Sequence, residues 1–406
     1  MNKFWTRVLL IAAAALFLLF FSNDFGLINI QQTTIVTAIG IDRSQEEGKI
    51  DVSAQIAVPN ESKASSVLVQ GAETVGEAIA EFNGKTGWYP TLVHCRLVLL
   101  GAEAVSENVF ASLDYFLRSE FVEDSCLVAV CETTAAETLQ ANSPVGDLPS
   151  SAITKVLSSQ AQKTGQVSVC NLRDFAKGYF SDSASGYLPV ISVKKEASKE
   201  GGNQSSGNSQ GADSASGGSQ SADGSGASAQ SSNDSDVFDA SKTALFFQGK
   251  RVAELTAEET LAFNLADTKT DFAYGDIEVF ENGSKVTYNL KMKIGKKSMK
   301  LKFEDGVPVF TFRIRAKAQI SDADKASGIV EVAKTALVPA HVLRAAEEMF
   351  RAQLQSAFEK TRESGCDLFR LRQKLYRFCY PQYASHRETL LQDARIFYDI
   401  RFDTLR

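Results

Sequence analysis

A low-complexity stretch in the middle of this 406-residue chain limits its fold more than any other sequence feature. Residues 197–236 are just over half serine and glycine, and they contain no aromatic or branched aliphatic side chain. Such a segment buries too little apolar surface to offset the entropy lost on ordering, so we predict a disordered linker. As a flexible coil it would span roughly 35 Å. The linker either separates two folded blocks, residues 31–196 and 237–406, or loops out of a single one.

An apolar run near the N-terminus predicts contact with a membrane. Residues 8–21 (VLLIAAAALFLLFF) are apolar without interruption, and Lys3 and Arg7 precede them. A spanning helix needs about 20 apolar residues, so this shorter run also fits the apolar region of a cleaved signal peptide. No small-residue A-x-A cleavage pattern follows it. We therefore predict an uncleaved signal-anchor helix in residues 1–30, with membrane contact through residues 4–28.

The charged residues and the cysteine positions predict on which side of the membrane the body lies and argue against two kinds of partner. Basic residues beside a membrane helix stay in the cytoplasm, so Lys3 and Arg7 predict that the body is extracytoplasmic. A lipid anchor is not expected, because no cysteine precedes Cys95. The net charge of −6 argues against a nucleic-acid partner, which normally requires a basic face.

The six cysteines predict buried thiols in preference to a disulfide framework or a zinc site. Cys95, Cys126 and Cys131 lie in apolar runs, where cysteine usually behaves as a small hydrophobic residue. No C-x-x-C pair is present, so zinc binding has little support. The six are Cys95, Cys126, Cys131, Cys170, Cys366 and Cys379.

Hydrophobic periodicity predicts a mixed α/β or α+β fold, with several small mixed sheets and helices packed on them. In the first block the predicted order is β-β-α-β-α-β: strands at residues 34–42, 50–58, 92–100 and 125–130, and helices at 74–83 and 109–117. In the second block we predict a strand at residues 243–247, a helix at 257–265 and a strand meander at 276–320. Helices at 340–358 and 368–378 follow, and the chain ends on a strand internal to a sheet.

The search for catalytic motifs yields no convincing site. His94, His341 and His386 are far apart, and the apolar neighbours of His94 predict a buried core histidine. Residues 207–211 spell G-x-S-x-G around Ser209, but this motif needs a strained strand-to-helix turn, and here it falls in the predicted linker. Residues 291–302 (KMKIGKKSMKLK) are basic and could touch phosphates, although their alternation favours the polar face of a solvated strand. We therefore predict no enzymatic activity and assign no catalytic, cofactor-binding or metal-binding residue.

Several segments, taken in chain order, resemble the Ger(x)C family, the C subunits of GerA-type spore germinant receptors. The resemblance lies in residues 38–42 (AIGID), 94–101 (HCRLVLLG), 113–120 (LDYFLRSE), 187–191 (YLPVI), 243–261 (TALFFQGKRVAELTAEETL) and 365–369 (GCDLF), and in the terminal strand. No single segment is specific to the family, whereas the collinear set is.

This resemblance implies a non-enzymatic subunit of a nutrient germinant receptor that triggers spore germination. It also implies work beside a polytopic A subunit and a transporter-like B subunit at the spore inner membrane. The chain departs from the family in its long linker and in lacking the usual lipidated cysteine before the first strand. These departures leave open an alternative, a membrane-tethered extracytoplasmic binding or scaffold protein. A hydrolase built on Ser209 has only the chance motif in its favour.

Overall fold

A computed structural model of the chain describes residues 3–22, 33–57, 65–142, 148–195, 236–267, 270–281, 283–323 and 337–405. The predicted linker, apart from Asp236, lies outside these described residues. The first element is helix α1 (Lys3–Ser22), within the predicted anchor region. No helix among the described residues combines the length and apolar character needed to cross a membrane.

The first sheet, sheet A, is mixed and contains nine strands among the described residues. These strands are β1 (Thr33–Arg43), β2 (Ile50–Ala57), β3 (Ser65–Ala72), β4 (Tyr89–Thr91), β5 (Leu97–Leu100), β6 (Leu127–Cys131), β7 (Ser185–Lys195), β8 (Asp236–Phe247) and β9 (Lys250–Leu255). Their order is β3-β2-β1-β5-β6-β7-β8-β9, and β4 pairs with β1. The strands β1, β5, β6 and β7 run parallel, while the pairs at either end of the order are antiparallel.

Helices cover both faces of sheet A, and its two middle strands, β5 and β6, are accordingly apolar throughout. One face packs against α2 (Val75–Thr86), α3 (Val109–Arg118) and α7 (Leu172–Tyr179). The other face packs against α4 (Ala135–Gln140), α5 (Pro149–Val156) and α6 (Ser159–Gln162). Every side chain of β5 is buried, as expected for a strand enclosed on both sides.

The local sequence explains why α2 begins and ends where it does. The side chain of Thr74 accepts a hydrogen bond from the N–H of Glu77, which caps the helix at its N-terminus. Gly87 takes a left-handed conformation (φ 72°) and ends the helix, and its N–H bonds to the carbonyl of Asn83. A buried stripe on the side facing the sheet consists of Val75, Ala78, Ile79 and Phe82.

The second sheet, sheet B, has four strands and one large helical cover. The strands are β10 (Phe272–Glu281), β11 (Ser284–Glu304), β12 (Val307–Ala323) and β13 (Arg395–Thr404), in that order across the sheet. The helices are α8 (Ala257–Asp267), α9 (Ala340–Ser364), α10 (Leu371–Phe378), α11 (Tyr380–His386) and α12 (Leu390–Asp393). Together they enclose the largest apolar cluster of the molecule. Within it, the rings of Phe350 on α9 and Phe402 on β13 meet edge to face at 5.6 Å.

Sheet A continues across the predicted linker. Strand β7 ends at Lys195 and β8 begins at Asp236, and these two residues are themselves paired in an antiparallel ladder. Of the two arrangements that the sequence left open, the pairing favours a segment that leaves and re-enters one sheet. The strands β8 and β9 therefore complete sheet A, while the chain from α8 onward builds sheet B.

The mixed α/β class agrees with the prediction, but three local expectations need correction. Strand β3 was not predicted, because its sequence (SSVLVQGA) alternates only weakly. The predicted strand at residues 92–100 is a strand only from Leu97, with a turn before it. The terminal strand β13 lies at the edge of sheet B and not inside it, since β12 is its one neighbour among the described strands.

Candidate functional site

The structure does not bring the three histidines together. The prediction of a buried His94 is wrong: the side chain is exposed in a turn, where the N–H of Cys95 bonds to the carbonyl of Leu92 at 2.9 Å. His341 is also exposed, and its Nε2 lies 2.6 Å from Oε1 of Glu281. His386 packs beside a phenylalanine ring of β11. Among the described residues, no group of three or more His, Cys, Asp or Glu side chains could hold a metal ion.

The two remaining sequence motifs lie in different settings. Ser209 falls outside the described residues. Residues 291–302 form part of β11, where inward Met292 is buried and outward Lys293 is exposed, so the prediction of a solvated strand face is confirmed. On that face the Nζ of Lys291 lies 5.2 Å from the ring centre of Phe272 and 5.7 Å from that of Tyr274.

Asp42, the last residue of the AIGID segment, links the N-terminus of α4 to sheet A through hydrogen bonds. Its Oδ1 accepts the N–H of Ala135 at 2.7 Å, and its Oδ2 accepts the N–H of Ala136 at 2.9 Å. The first backbone N–H groups of a helix have no partner within it, so a carboxylate placed there satisfies two of them. Burial raises the pKa of Asp42, although the two backbone hydrogen bonds oppose that shift.

Two glycines leave the space that this arrangement needs. A Cβ atom on Gly101 would lie 2.0 Å from Oδ1 of Asp42. A Cβ atom on Gly40 would lie 2.4 Å from the hydroxyl of Ser53 and 2.8 Å from the Cβ of Ala135. The AIGID segment and the glycine after β5 therefore serve helix-to-sheet packing in this structure.

An open groove of about 900 Å³ lies at the carboxyl ends of β1 and β5. Ligands of open α/β sheets commonly bind at such strand ends. Most of its cations are already paired: Arg43 Nη2 lies 3.4 Å from Oε1 of Glu107, and Arg118 Nε lies 2.7 Å from Oδ2 of Asp114. The groove therefore offers paired charges on an open surface, and acidic residues outnumber basic ones along it.

A smaller cleft of about 140 Å³ lies where sheet A meets the helices of the second half. Its polar centre is Asp367, from the GCDLF segment, which is buried. The carboxylate accepts the N–H of Leu371 at 2.7 Å and the N–H of Arg372 at 2.9 Å, and so caps α10. It also accepts the hydroxyl of Ser183 at 2.9 Å, from the loop before β7. Burial raises the pKa of Asp367, against the lowering effect of these hydrogen bonds.

Backbone strain accompanies the smaller cleft. Arg370 has a φ of 57° and Ala184 has a φ of 43°, and both flank the residues that bond to Asp367. Non-glycine residues rarely adopt such values, and they persist where surrounding contacts fix them. The same cleft thus holds a buried carboxylate, two strained residues and the junction of the two halves of the chain.

Glu259 forms a further buried polar centre, between α8 and α9. Its Oε2 accepts the Nζ of Lys360 at 2.6 Å, and its Oε1 accepts the hydroxyl of Ser356 at 2.6 Å. It also caps α8 through the N–H of Thr256 at 2.8 Å. Burial by itself would raise the pKa of Glu259, but the hydrogen bonds outweigh burial and lower it.

The cysteines match the prediction of free thiols, and all but the half-buried Cys379 are buried. The Sγ of Cys95 donates to the carbonyl of Leu97 at 3.6 Å, and the Sγ of Cys126 donates to that of Leu127 at 3.8 Å. The neighbouring Cys95 side chain and burial together raise the pKa of Cys126. Burial also raises the pKa of Cys170 to about 12, so its thiol stays protonated near neutral pH. The five buried thiols lack the exposed, electropositive surroundings of a reactive cysteine.

Sequence reasoning noted the segments that contain Asp42 and Asp367 without assigning a role to either side chain. Each aspartate follows or sits beside buried apolar residues, and this juxtaposition is the signal that could have marked them. The sequence does not show which distant residue each aspartate bonds to. Ala135 lies 93 residues after Asp42, and Ser183 lies 184 residues before Asp367.

Comparisons with known proteins identify the family. The family model described as "Spore germination protein N-terminal domain" matches residues 27–193, and that described as "Spore germination B3/ GerAC like, C-terminal" matches residues 241–404. A solved structure, described as "Crystal Structure of the GerBC protein", is 13% identical over 92% of this chain and 99% of that one, with a TM-score of 0.47. None of the curated proteins compared with the chain matches it. The two matches confirm the resemblance read from the sequence: the chain belongs to the GerAC-type family of spore germination proteins, which implies a role in spore germination.

Proposed function

We propose that this chain is a membrane-anchored, non-enzymatic subunit of a nutrient germinant receptor. One observation carries the proposal: models of both halves of the family match in order, and together they cover most of the chain. The family resemblance supplies the partners, a polytopic A subunit and a transporter-like B subunit at the spore inner membrane. In such a complex the subunit would act by binding its neighbours.

The composition of α1 supports the anchoring part of the proposal. Several of its large apolar side chains are exposed: Leu9 is 70% exposed, Ile11 69% and Leu16 68%. Keeping such side chains in water is unfavourable by roughly 1.5–3 kcal/mol each, and a bilayer would remove that cost. Lys3 and Arg7 stand at the N-terminal end of α1, which favours an extracytoplasmic body.

The polar centres of the described residues support a structural role and not catalysis. Asp42, Asp367 and Glu259 each hold the N-terminus of a helix. A catalytic carboxylate needs an open approach for a substrate, whereas these three are buried and each accepts two or three hydrogen bonds from the protein. This arrangement suits a rigid body that presents surfaces to other subunits.

A deletion strain tests the receptor proposal. Spores that lack this chain should germinate poorly in response to nutrients, while vegetative growth and spore yield stay normal. Expression of the intact chain in the same strain should restore the response. Unchanged germination across a nutrient panel, in a strain without other receptors, would rule the proposal out.

N-terminal sequencing of the protein from spore membranes tests the anchor separately. We expect residues 1–30 to be retained. A mature protein that begins after Ser22 would show instead that the apolar segment is a cleaved signal peptide.

The alternative is a tethered binding or scaffold protein of the cell surface. Two features favour it: the long serine- and glycine-rich segment, and a first cysteine, Cys95, that is buried beside β5 and unsuited to carry lipid. Production in growing cells, with none in the forming spore, would support this alternative over the receptor subunit.

A further inference from the structure

The segment that covers one end of sheet B has a charge opposite to that of the chain as a whole. Residues 368–387 contain five arginine or lysine residues and no aspartate or glutamate, in a chain whose net charge is −6. This segment forms α10 and α11, which follow each other with Cys379 between them. A basic surface is thus concentrated on one short helical pair.

Aromatic side chains stand out from the same helical pair. Phe378 is 70% exposed, Tyr380 64% and Tyr376 54%. The rings of Tyr376 and Tyr380 meet edge to face at 5.4 Å, so the patch is ordered by its own contacts. Leu371 and Leu375 point the other way into the core, which fixes the direction in which the aromatic side chains face.

The exposed arginines of the patch have no acidic partner in the described part of the chain. Arg377 stands between Tyr376 and Phe378, and neither Arg377 nor Arg387 forms an ion pair with a described carboxylate. Arg387 is held beside α10 because its carbonyl accepts the Nε of Arg372 at 3.0 Å. By contrast, the arginines at the large groove are paired with carboxylates.

We propose that this surface, made of Arg377, Arg387, Tyr376, Phe378 and Tyr380, docks onto the headgroup layer of an anionic phospholipid bilayer. Tyrosine rings are favoured at the level of the headgroups, where one end of the ring is apolar and the other is wet. Unpaired arginines nearby are attracted to anionic lipid, and each such residue strengthens binding about fivefold. The two chemistries occur together on this helical pair, and interfacial binding uses both.

The details favour a bilayer over an acidic protein as the occupant. A bidentate arginine–carboxylate pair holds the planar guanidinium in one geometry. Arg377 and Arg387 are instead exposed beside protruding rings. Phe378 is the most exposed of the three rings, as suits insertion among lipid headgroups. The docking would place the body beside the same membrane that α1 is proposed to enter, so the inference deepens the proposed function.

A single tryptophan reporter tests the docking in the full-length chain. Trp5 and Trp88 are the two native tryptophans, and both would be replaced by phenylalanine. F378W then places the reporter in the patch, and F180W is the matched control, because Phe180 is 72% exposed on the other half of the molecule. In nanodiscs with brominated acyl chains and one-third phosphatidylglycerol, we expect the tryptophan at 378 to be quenched at least twice as strongly as that at 180.

Charge reversal distinguishes an electrostatic contact with the lipid from nonspecific hydrophobic adsorption. R377E/R387E in the F378W background should remove most of the quenching that depends on phosphatidylglycerol. The control R344E/R351E makes the same change in net charge on α9, at two exposed arginines, and should leave the quenching unchanged. Circular dichroism of each variant shows whether it is folded.

Three results would overturn the inference. They are equal quenching at positions 378 and 180, quenching that is the same in phosphatidylcholine alone, and quenching that survives R377E/R387E. Protection of the patch by an acidic protein subunit but not by lipid would assign the surface to a protein. A reporter kept at Trp5 separates this inference from the proposed anchor. Lipid quenching at position 378 without quenching at Trp5 would support docking and refute insertion of α1. Quenching at Trp5 without quenching at position 378 would refute docking alone.

Discussion

The hydroxyl of Ser183 donates a hydrogen bond of 2.9 Å to Oδ2 of Asp367, and the two residues are 184 positions apart. Asp367 in turn caps α10, and its own N–H bonds to the hydroxyl of Ser185 at 2.9 Å. The loop before β7 and the start of the last helical group are thus joined by buried polar contacts. The regions matched by the two family models meet at this point.

Replacing Ser183 by alanine should destabilise the protein by about 1–3 kcal/mol, because the buried carboxylate of Asp367 loses one of its donors. Urea unfolding of the purified chain measures this loss. Ser385→Ala is the control: its hydroxyl bonds to a carbonyl at the exposed surface, so the expected change is within about 0.5 kcal/mol. Equal stability of the two variants would contradict the role given to Ser183.

Asp367 should give stability a pH dependence of a defined sign. Burial raises its pKa in the folded protein above the unfolded value of about 3.9. The folded state then holds this proton more tightly, so the contribution is greatest below about pH 3.9 and is lost as pH rises through the folded pKa. The free energy of unfolding of wild type minus that of D367N should therefore fall as pH increases. A difference that grows with pH would show that the hydrogen bonds outweigh burial.

Glu259 should show the opposite sign. Burial raises its pKa, but the bonds from Lys360, Ser356 and the N–H of Thr256 lower it further than burial raises it. Its contribution is therefore present above about pH 4.3 and is lost as pH falls through the folded pKa. E259Q should cost about 1–3 kcal/mol at pH 7, and the gap to wild type should shrink on acidification. The exposed Glu363→Gln serves as control and should change little at either pH.

Gly101→Ala should destabilise the protein by at least about 2 kcal/mol, since the new Cβ would displace Asp42 from two backbone N–H groups. Gly84→Ala is a matched control in α2, where a Cβ meets nothing within 4 Å. That change should stabilise the helix by about 0.5–1 kcal/mol. Thermal unfolding of both variants compares the two effects, and a stable G101A protein would argue against the capping role of Asp42.

Thiol labelling should separate Cys379 from the other cysteines. It is half-buried, whereas the other five thiols are buried. A maleimide reagent should modify one of the six thiols in the native protein and all six after unfolding. Mass spectrometry of the peptides identifies the site. Early modification of Cys95 or Cys126 would show that the chain just before the central strands β5 and β6 opens more readily than its burial indicates.

The parts of the fold that were predictable from the sequence are those with a strong local period. Strand β2, helix α2 and helix α9 carry regular apolar stripes, and β2 and α2 were predicted close to their observed bounds. Helix α9 begins at the predicted Ala340 but continues beyond the predicted end to Ser364. Strand β3 depends on its pairing with β2, which a weakly alternating sequence does not reveal. His94 shows the same limit, because Leu92 and Cys95 are buried while the turn between them points the histidine outward.

The candidate sites were less predictable than the fold, for a related reason. Asp42 and Asp367 were visible in family-like segments, but their function depends on helix termini supplied by distant parts of the chain. For the aromatic and basic surface on α10 and α11, the sequence predicted only a helix at residues 368–378. Which side of that helix faces solvent is decided by packing against sheet B, and composition alone does not contain this information.

The pairing of Lys195 with Asp236 has a practical consequence for engineering. The antiparallel ladder of β7 and β8 fixes the two ends of the intervening segment side by side, and Asn142 N–H also bonds to the carboxylate of Asp236 at 2.9 Å. Because each doubling of a loop's length costs only about 0.6 kcal/mol, the body should tolerate large changes in what is inserted there. This position is therefore a suitable insertion site for a fluorescent protein or an affinity tag. Such an insertion would allow the subunit to be followed in a living spore while both of its termini stay unmodified.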